Sequence, residues 1–226
     1  MNAFQKTITA YFDYYLRDVM TTIPGIVVST SDIDRSIVAV KPALNEKTLD
    51  GRVYPWPEVV NVPLIFPCSS DSAITFPIRE GDGVLLVFSM RGMDEWKGGD
   101  GGLSTPTDRR DHALQDAIAI PGLFPPNRSK NSSRQRTLPH SRNDLVFAHN
   151  IGTSREAEVR IDPAGKITMT SPLEVEVNSP ITTFNSNVVL NGSHTVNGTF
   201  TYNGEEYSLH RHTGVQPGNG TSGPKA

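Results

Sequence analysis

The hydrophobic residues near the N-terminus recur with the period of an α-helix. They fall three or four residues apart, at Phe4, Ile8, Tyr11, Phe12, Tyr15, Leu16 and Val19. This spacing places them on one stripe and predicts an amphipathic helix that ends before Pro24. We expect the aromatic residues of the helix, together with Trp56 and Trp96, to belong to a core, with docking to a partner as the second possibility.

From Ile23 onward the pattern changes to short, β-rich runs. Residues 23–29 and 36–44 flank a polar turn and predict a hairpin. Further runs, separated by Pro and Gly, cover residues 59–66, 73–78, 83–89 and 117–120. About five short strands in roughly 100 residues predict a small closed barrel, and the OB-fold is the leading candidate.

The segment that follows the barrel is rich in Pro, Ser and Asn and carries a set of basic residues, Arg128, Lys130, Arg134, Arg136 and Arg142. Its composition predicts a solvated linker or a clasp between subunits. A basic patch for nucleic acid or phospholipid is the alternative. No aromatic residues alternate with the charges, as they do where single strands are bound, so we favour the linker or clasp.

The last third of the chain is periodic. Asn-Gly pairs begin at Asn191, Asn197 and Asn203, six residues apart, and Ser-Pro pairs begin at Ser171 and Ser179. Between these turns apolar residues alternate with polar ones, at Val159 and Ile161, Ile167 and Met169, Leu173, Val175 and Val177, Val188 and Leu190, and Phe200 and Tyr202. Strands this short cannot cover a core alone, so we expect identical chains to wind together into an intertwined β-helical shaft, a homotrimer. A row of ordinary hairpins is the alternative, because Asn-Gly is also a hairpin turn signal.

These patterns predict an all-β protein with one N-terminal helix. The expected organisation is a helix over residues 1–20, an OB-fold collar over 21–122, a basic linker over 123–150, a trimeric shaft over 151–206 and a metal-binding tip over 207–226.

Composition and charge exclude several classes of protein. The single cysteine, Cys68, cannot form an internal disulfide, and no apolar run approaches the ~20 residues of a membrane helix. A net charge of −3 disfavours a nucleic-acid binder. The N-terminus lacks the features of a signal peptide, so we expect the chain to be made and folded in the cytoplasm.

Two histidines near the end of the chain, His210 and His212, flank Arg211. On a strand, residues i and i+2 point the same way, so both imidazoles would share one side. Two ligands do not close a metal site, but three chains on one axis would present six, enough for an octahedral ion such as iron(II) or nickel. The alternative is a pair of exposed histidines in a tail.

No enzymatic motif is present. After His212 the sequence contains no His, Asp, Glu or Cys that could complete an open catalytic metal site, and no G-x-S-x-G, P-loop or H-E-x-x-H occurs. The remaining histidines, His112, His140, His149 and His194, are scattered. We therefore predict that the protein is not an enzyme and has no catalytic residues.

Three segments give the chain a specific resemblance. Residues 66–96, residues 108–125 and the terminal segment HRHTGVQPGNGTSGP resemble the central membrane-piercing spike of contractile-tailed bacteriophages. The resemblance implies an OB-fold collar, a triple β-helix and a tip in which His210 and His212 of three chains hold one Fe(2+) per trimer in octahedral coordination.

The same resemblance implies a structural function. The protein would be a needle at the baseplate centre of the virion tail, bound to a tail hub or tube-end baseplate protein and in transient contact with the host outer membrane during contraction. It would be assembled in the host cytoplasm and would bind no nucleic acid. A trimeric receptor-binding fibre or adaptor is the alternative, although such a protein is expected to continue into a larger distal domain.

Overall fold

The computed structural model describes residues 2–17, 19–48 and 50–207. The chain divides into two units, Met1–Glu174 and Val175–Ala226. Strands are the main regular elements of the described residues, and the predicted all-β class with one N-terminal helix of substantial length is confirmed.

The N-terminal helix, α1, spans Ala3–Arg17. A reciprocal cap begins it, because the Asn2 side chain accepts the Gln5 N–H at 2.9 Å and the Gln5 side chain accepts the Asn2 N–H at 3.0 Å. The helix ends before Val19, the last residue of the predicted stripe. Met20 has already left the helix, since its N–H donates to the His112 carbonyl oxygen at 3.3 Å.

Five strands form a strongly curled sheet: β1 Thr22–Ser29, β2 Ile37–Pro42, β5 Val59–Pro63, β6 Gly83–Phe88 and β7 Ala117–Pro121. Their order is β5-β2-β1-β6-β7, and the neighbours are antiparallel. Leu64, just after β5, makes a parallel bridge to Ala119 of β7, and the Ile65 N–H donates to the Ala119 carbonyl at 3.0 Å. The parallel contact brings the two edges together in the strand order of an OB-fold.

The interior of the barrel is filled mainly by small β-branched side chains. The buried residues are Val27, Val38, Val40, Val59, Val62, Leu64, Ile78, Val84, Leu86, Phe88, Ala117 and Ala119. Gly25 of β1 faces this core, where an added Cβ would lie 2.5 Å from Val40 Cγ1. The strand therefore passes too close to β2 for any side chain at that position.

The prediction of a strand over residues 73–78 is wrong. This segment has only an isolated bridge between Cys68 and Ala73, although Ile78 is buried and Phe76 packs edge-on against Phe66 with ring centroids 5.3 Å apart. Pro77 interrupts the run because it lacks an N–H donor. Ile78 therefore joins the core of the barrel, whereas Ile74 and Phe76 stay exposed.

Short elements occupy the connections of the barrel. A small hairpin, β3 Glu46–Lys47 with β4 Val53–Tyr54, precedes β5, and a helix of five residues, α2 Asp94–Gly98, lies in the β6–β7 loop. Single 3₁₀ turns occur at Ile33–Arg35, Leu114–Asp116, Pro126–Arg128 and Ser133–Gln135. No helix in the described ranges is long and apolar enough to cross a bilayer.

A second sheet follows the barrel. It consists of β8 Leu145–His149, β9 Ala157–Ile161 and β10 Ile167–Thr170, with β9 in the middle and antiparallel to both neighbours. Strand β8 lies within the segment that the sequence predicts as linker.

The second unit contains one two-residue hairpin in its described part, β11 Thr201–Tyr202 with β12 Glu205–Glu206. Asn203 and Gly204 form its turn with φ values of 52° and 84°, the left-handed pair of a type I′ turn. At this Asn-Gly pair the structure therefore has the ordinary hairpin that is the alternative interpretation of the sequence pattern. The pairs at Asn191 and Asn197 join no strands within the chain, since residues 175–200 are all described and contain none.

Candidate functional site

The predicted metal ligands, His210 and His212, lie outside the described residues, which end at 207. Within the described part of the chain, no group of three or more His, Cys, Asp or Glu side chains is arranged to hold a metal ion. The metal-binding tip therefore stays a prediction, and the geometry that bears on function comes from the two sheets, the loops and the exposed shaft segment.

The β8–β10 sheet turns an apolar face outward. Cross-strand partners form two rows, Leu145–Ile161–Ile167 and Phe147–Val159–Met169. Phe147 is 56% exposed and Met169 is 62% exposed. A sheet that exposes large aromatic and aliphatic side chains in adjacent rows has the character of an interface.

The opposite face of this sheet carries buried charge. Glu156, just before β9, and Glu158, within it, are almost fully buried, and Arg136 from the basic segment lies between them. Arg136 Nη1 is 3.5 Å from Glu156 Oε1 and 3.7 Å from Glu158 Oε2. Arg160 extends the cluster, with its Nε atom 3.7 Å from Glu158 Oε1 and 3.8 Å from Asp144 Oδ2. These charges hold the basic segment against the sheet of its own chain.

Within this cluster, Glu156 is the carboxylate that accepts the most hydrogen bonds from protein donors. Its Oε2 atom accepts the Thr137 N–H at 2.6 Å, the Thr137 hydroxyl at 2.7 Å and the Gly152 N–H at 3.0 Å. Burial acts to raise the pKa of Glu156, but these hydrogen bonds to the ionised form outweigh it and the pKa is lowered. The carboxylate is therefore charged at neutral pH.

A second buried charge cluster organises the β6–β7 loop. Asp116 is fully buried and accepts the Met93 N–H at 2.8 Å and the Arg110 Nε and Nη2 donors at 2.7 and 2.9 Å. Arg110 also binds Asp94 and Asp108, each at 2.7 Å. Burial opposes ionisation of Asp116, yet the hydrogen bonds from Arg110 and Met93 lower its pKa. One arginine thus joins three points of the loop.

The start of the shaft is exposed in the single chain. Every residue from 171 to 200 is exposed, and this segment forms no strand. Large apolar side chains are among them, including Leu173 at 90% and Ile181 at 81%. Exposed apolar side chains along a segment of this length have the character of an interaction surface.

The expectation that the helix aromatics belong to a core is wrong for the single chain. Phe4, Tyr11, Phe12 and Tyr15 are all more than half exposed, and Trp96 is 44% exposed. The barrel closes around its own valine core without covering α1. The second possibility, that the helix face docks on a partner, is the one that the geometry favours.

Sequence reasoning missed both charge clusters, and it did not show which face of the second sheet is apolar and exposed. In the run Glu156–Ile161, charged and apolar residues alternate, and this period does not say which face is buried. The available signal was the isolated set of arginines in the preceding segment, because a buried carboxylate pair requires a nearby cation.

Two family models match the chain. Residues 23–122, which include the whole barrel, match the phage protein Gp138 N-terminal domain. Residues 209–226, which contain His210 and His212, match the GpV Apex motif. No curated protein sequence matches the chain significantly.

A curled OB-type sheet that matches one phage domain, followed in the same chain by a phage apex motif, defines the class as a structural protein of the phage tail. Both matched families are markers of phage baseplate spikes, and together they support a phage baseplate spike protein. Its place is accordingly in the tail of the virion, in association with other baseplate components.

Proposed function

We propose that the protein is the trimeric needle at the centre of a contractile-tail baseplate and that it pierces the host outer membrane when the tail contracts. The observation that carries this proposal is the exposed segment 171–200, where apolar and polar residues alternate without any strand pairing inside the chain. Three chains wound about one axis would pair this backbone and cover its apolar side chains.

The outward apolar face of the β8–β10 sheet supports the same assembly. It lies immediately before the exposed segment in sequence, since β10 ends at Thr170. Leu145, Phe147 and Met169 would be removed from water if neighbouring chains packed on this face, each contributing about 1.5–3 kcal/mol on full burial. Exposed apolar residues therefore follow one another along the sequence from β10 into the segment after it.

The proposed action is mechanical and not enzymatic. A shaft whose backbone is fully paired between chains resists bending, because each strand is held by two neighbours and has no free edge. Contraction of the tail sheath supplies the force, and no bond in the host needs to be broken by catalysis. This agrees with the lack of any catalytic motif in the sequence.

We place an iron ion at the tip, held by His210 and His212 of three chains. The Apex motif match over residues 209–226 covers both histidines and supports a specialised tip. Two imidazoles per chain are nitrogen donors of the kind that iron and nickel accept, and the spike resemblance selects iron. The ion would join the three chain ends, where strands are most prone to fray.

The proposed partners are a tail hub or tube-end baseplate protein and, transiently, the host outer membrane. The exposed aromatic face of α1, at the end of the chain opposite to the tip in sequence, is suited to bind the hub. The chain would be assembled in the host cytoplasm and would occupy the tip of the baseplate.

Sedimentation equilibrium of the full chain, combined with elemental analysis, tests the proposal. We expect a mass three times the chain mass of 24.7 kDa and one iron per three chains after expression with iron present. A folded monomer at micromolar concentration would contradict the trimer. For piercing, particles that carry a chain truncated before Tyr207 are expected to contract but to release less dye from outer-membrane vesicles than intact particles.

A further inference from the structure

A cleft of about 380 Å³ lies in the first unit, where the barrel meets the second sheet. Phe76, Ile78, Phe124 and Ile151 form an apolar part of its lining. A cleft of this volume is in the size range of binding sites.

The rim of the cleft is cationic. Arg79 and Lys130 line it, and Lys130 Nζ lies 5.3 Å from the centroid of the Phe124 ring. Arg128 is 5.4 Å from the same centroid, so two cations share one aromatic ring. None of the ion pairs formed by the described residues involves Arg79, Arg128 or Lys130. The acidic residue in the lining, Asp82, accepts the Arg79 backbone N–H at 2.8 Å. The cleft therefore suits an apolar group that carries a negative charge beside it.

The same chain presents such a group at the tip of the β6–β7 loop. Leu103 is fully exposed, and it follows Asp100 and two glycines. The Asp100 side chain accepts only a local hydrogen bond from the Gly102 N–H at 3.0 Å. Below this tip the loop is held by Arg110 and its three carboxylates. A leucine and an aspartate thus project from a fixed base with nothing described packed on them.

The loop and the cleft of one chain lie at opposite ends of strand β6. Gly83, the first residue of the strand, lines the cleft, whereas the loop leaves from the last, Phe88. Six residues of strand span roughly 17 Å. Two complementary patches that lie too far apart to meet within one chain can pair only between copies. A head-to-tail contact of this kind closes into a ring when the rotation between neighbouring copies allows it.

We propose that the cleft of one chain receives Leu103 and Asp100 of a neighbouring copy, so that three such contacts close a ring of barrels. The leucine would fill the apolar part of the cleft, and the aspartate would lie against Lys130 and Arg79. This inference rests on the proposed trimer, but it assigns a separate contact between barrels, distinct from the shaft.

Crosslinking of the full-length chain tests the contact. In a Cys68→Ser background, Leu103→Cys is combined with Ile151→Cys and treated with a short bismaleimide. We expect covalent dimers and trimers. The matched control combines Leu103→Cys with Val60→Cys, an exposed barrel residue outside the cleft, and is expected to give no ladder.

Charge exchange supplies an independent readout that does not need cysteines. Lys130→Glu and Asp100→Lys are each expected to weaken trimer association about tenfold, and the double variant is expected to recover most of the loss. A chain that is trimeric by sedimentation but gives no ladder for the Leu103–Ile151 pair, with additive charge effects, would overturn the proposed contact and leave the trimer standing. A chain that is monomeric by sedimentation would overturn both.

Discussion

His112 pairs with Met20 through both its backbone and its ring. The Met20 N–H donates to the His112 carbonyl oxygen at 3.3 Å, and His112 Nδ1 lies 3.1 Å from the Met20 carbonyl oxygen. His112 adopts a left-handed conformation, with φ of 47°, that brings both groups to the same partner. The pair joins the segment between α1 and β1 to the β6–β7 loop.

The first prediction concerns this pair. His112→Ala removes the ring hydrogen bond and places at positive φ a residue that tolerates this conformation less well than His, so we expect a loss of about 1–2 kcal/mol in the free energy of unfolding. His112→Asn is expected to lose less, because Asn tolerates this conformation. Urea unfolding followed by tryptophan fluorescence measures both. His194→Ala, at an exposed residue, is the control, and an equal loss there would contradict the assignment.

The second prediction concerns Arg110. Its replacement by alanine leaves Asp116 fully buried without its cation, and we expect the barrel to lose about 3–5 kcal/mol. Arg109→Ala is the matched control, since the neighbouring arginine is exposed and makes no ion pair with a described residue. Thermal unfolding of the two variants measures the difference. Similar melting temperatures for Arg110→Ala and Arg109→Ala would show that Arg110 is not needed for stability.

The third prediction is a dependence on acid pH. The folded-state pKa of Glu156 and that of Asp116 are lowered, so their ionisation stabilises the fold at neutral pH. This contribution is complete above the unfolded-state pKa values, near 4, and is lost as the pH falls through the lower folded-state values. We expect unfolding free energy to decrease steadily below about pH 4.

Glu156→Gln tests the part that Glu156 contributes. The variant is expected to be about 1–3 kcal/mol less stable at neutral pH and to lose less stability than the parent on acidification. Glu174→Gln, at an exposed residue, should leave the unfolding free energy at neutral pH unchanged. If the unfolding free energies of the parent and of Glu156→Gln fell in parallel as the pH is lowered, this role for Glu156 would be ruled out.

The fourth prediction tests the inward face of the shaft. Val175 and Val177 alternate with Glu174 and Glu176, and we expect the valines to face the trimer axis. Val175→Asp would then bury three carboxylates close together, at a cost of several kcal/mol, and the trimer should be lost. Glu176→Asp is the control on the opposite face. Sedimentation velocity reports the outcome. An unaltered trimer with Val175→Asp would mean that the valines face outward and the glutamates face the axis.

The fifth prediction concerns the tip. Changing both His210 and His212 to alanine is expected to abolish bound iron while the trimer persists, because the shaft upstream of Tyr207 holds the chains together. Elemental analysis and sedimentation are measured on the same samples. His194→Ala is the control for an unrelated histidine. Equal iron in the double variant and the parent would exclude these two residues as ligands.

The barrel could be predicted because its strands are short runs rich in β-branched and apolar residues and its turns are marked by Pro and Gly. Residues 83–89 read as a strand and form β6, whereas residues 73–78 read the same way and do not pair. The difference lies in Pro77 and in the parallel bridge from Leu64 to Ala119, a contact between residues distant in sequence. Local pattern carries no information on such closure.

The functional surfaces could be predicted only in part. The H-x-H pair and the periodic shaft are visible in the sequence, because a ligand set and a repeat are local features. The outward apolar rows of the second sheet depend on which face Arg136 covers, and the cleft depends on Phe124 meeting Ile151. Both follow from tertiary packing, where residues far apart in sequence come together.

The second sheet also has a thermodynamic consequence. Its inner face is held by ion pairs around Arg136, while its outer face offers Phe147 and its apolar neighbours to water. Association that covers the outer face has a negative heat capacity change, so it weakens on cooling. In the proposed trimer, cooling would therefore weaken the contacts on this outer face more than the ion pairs within each chain.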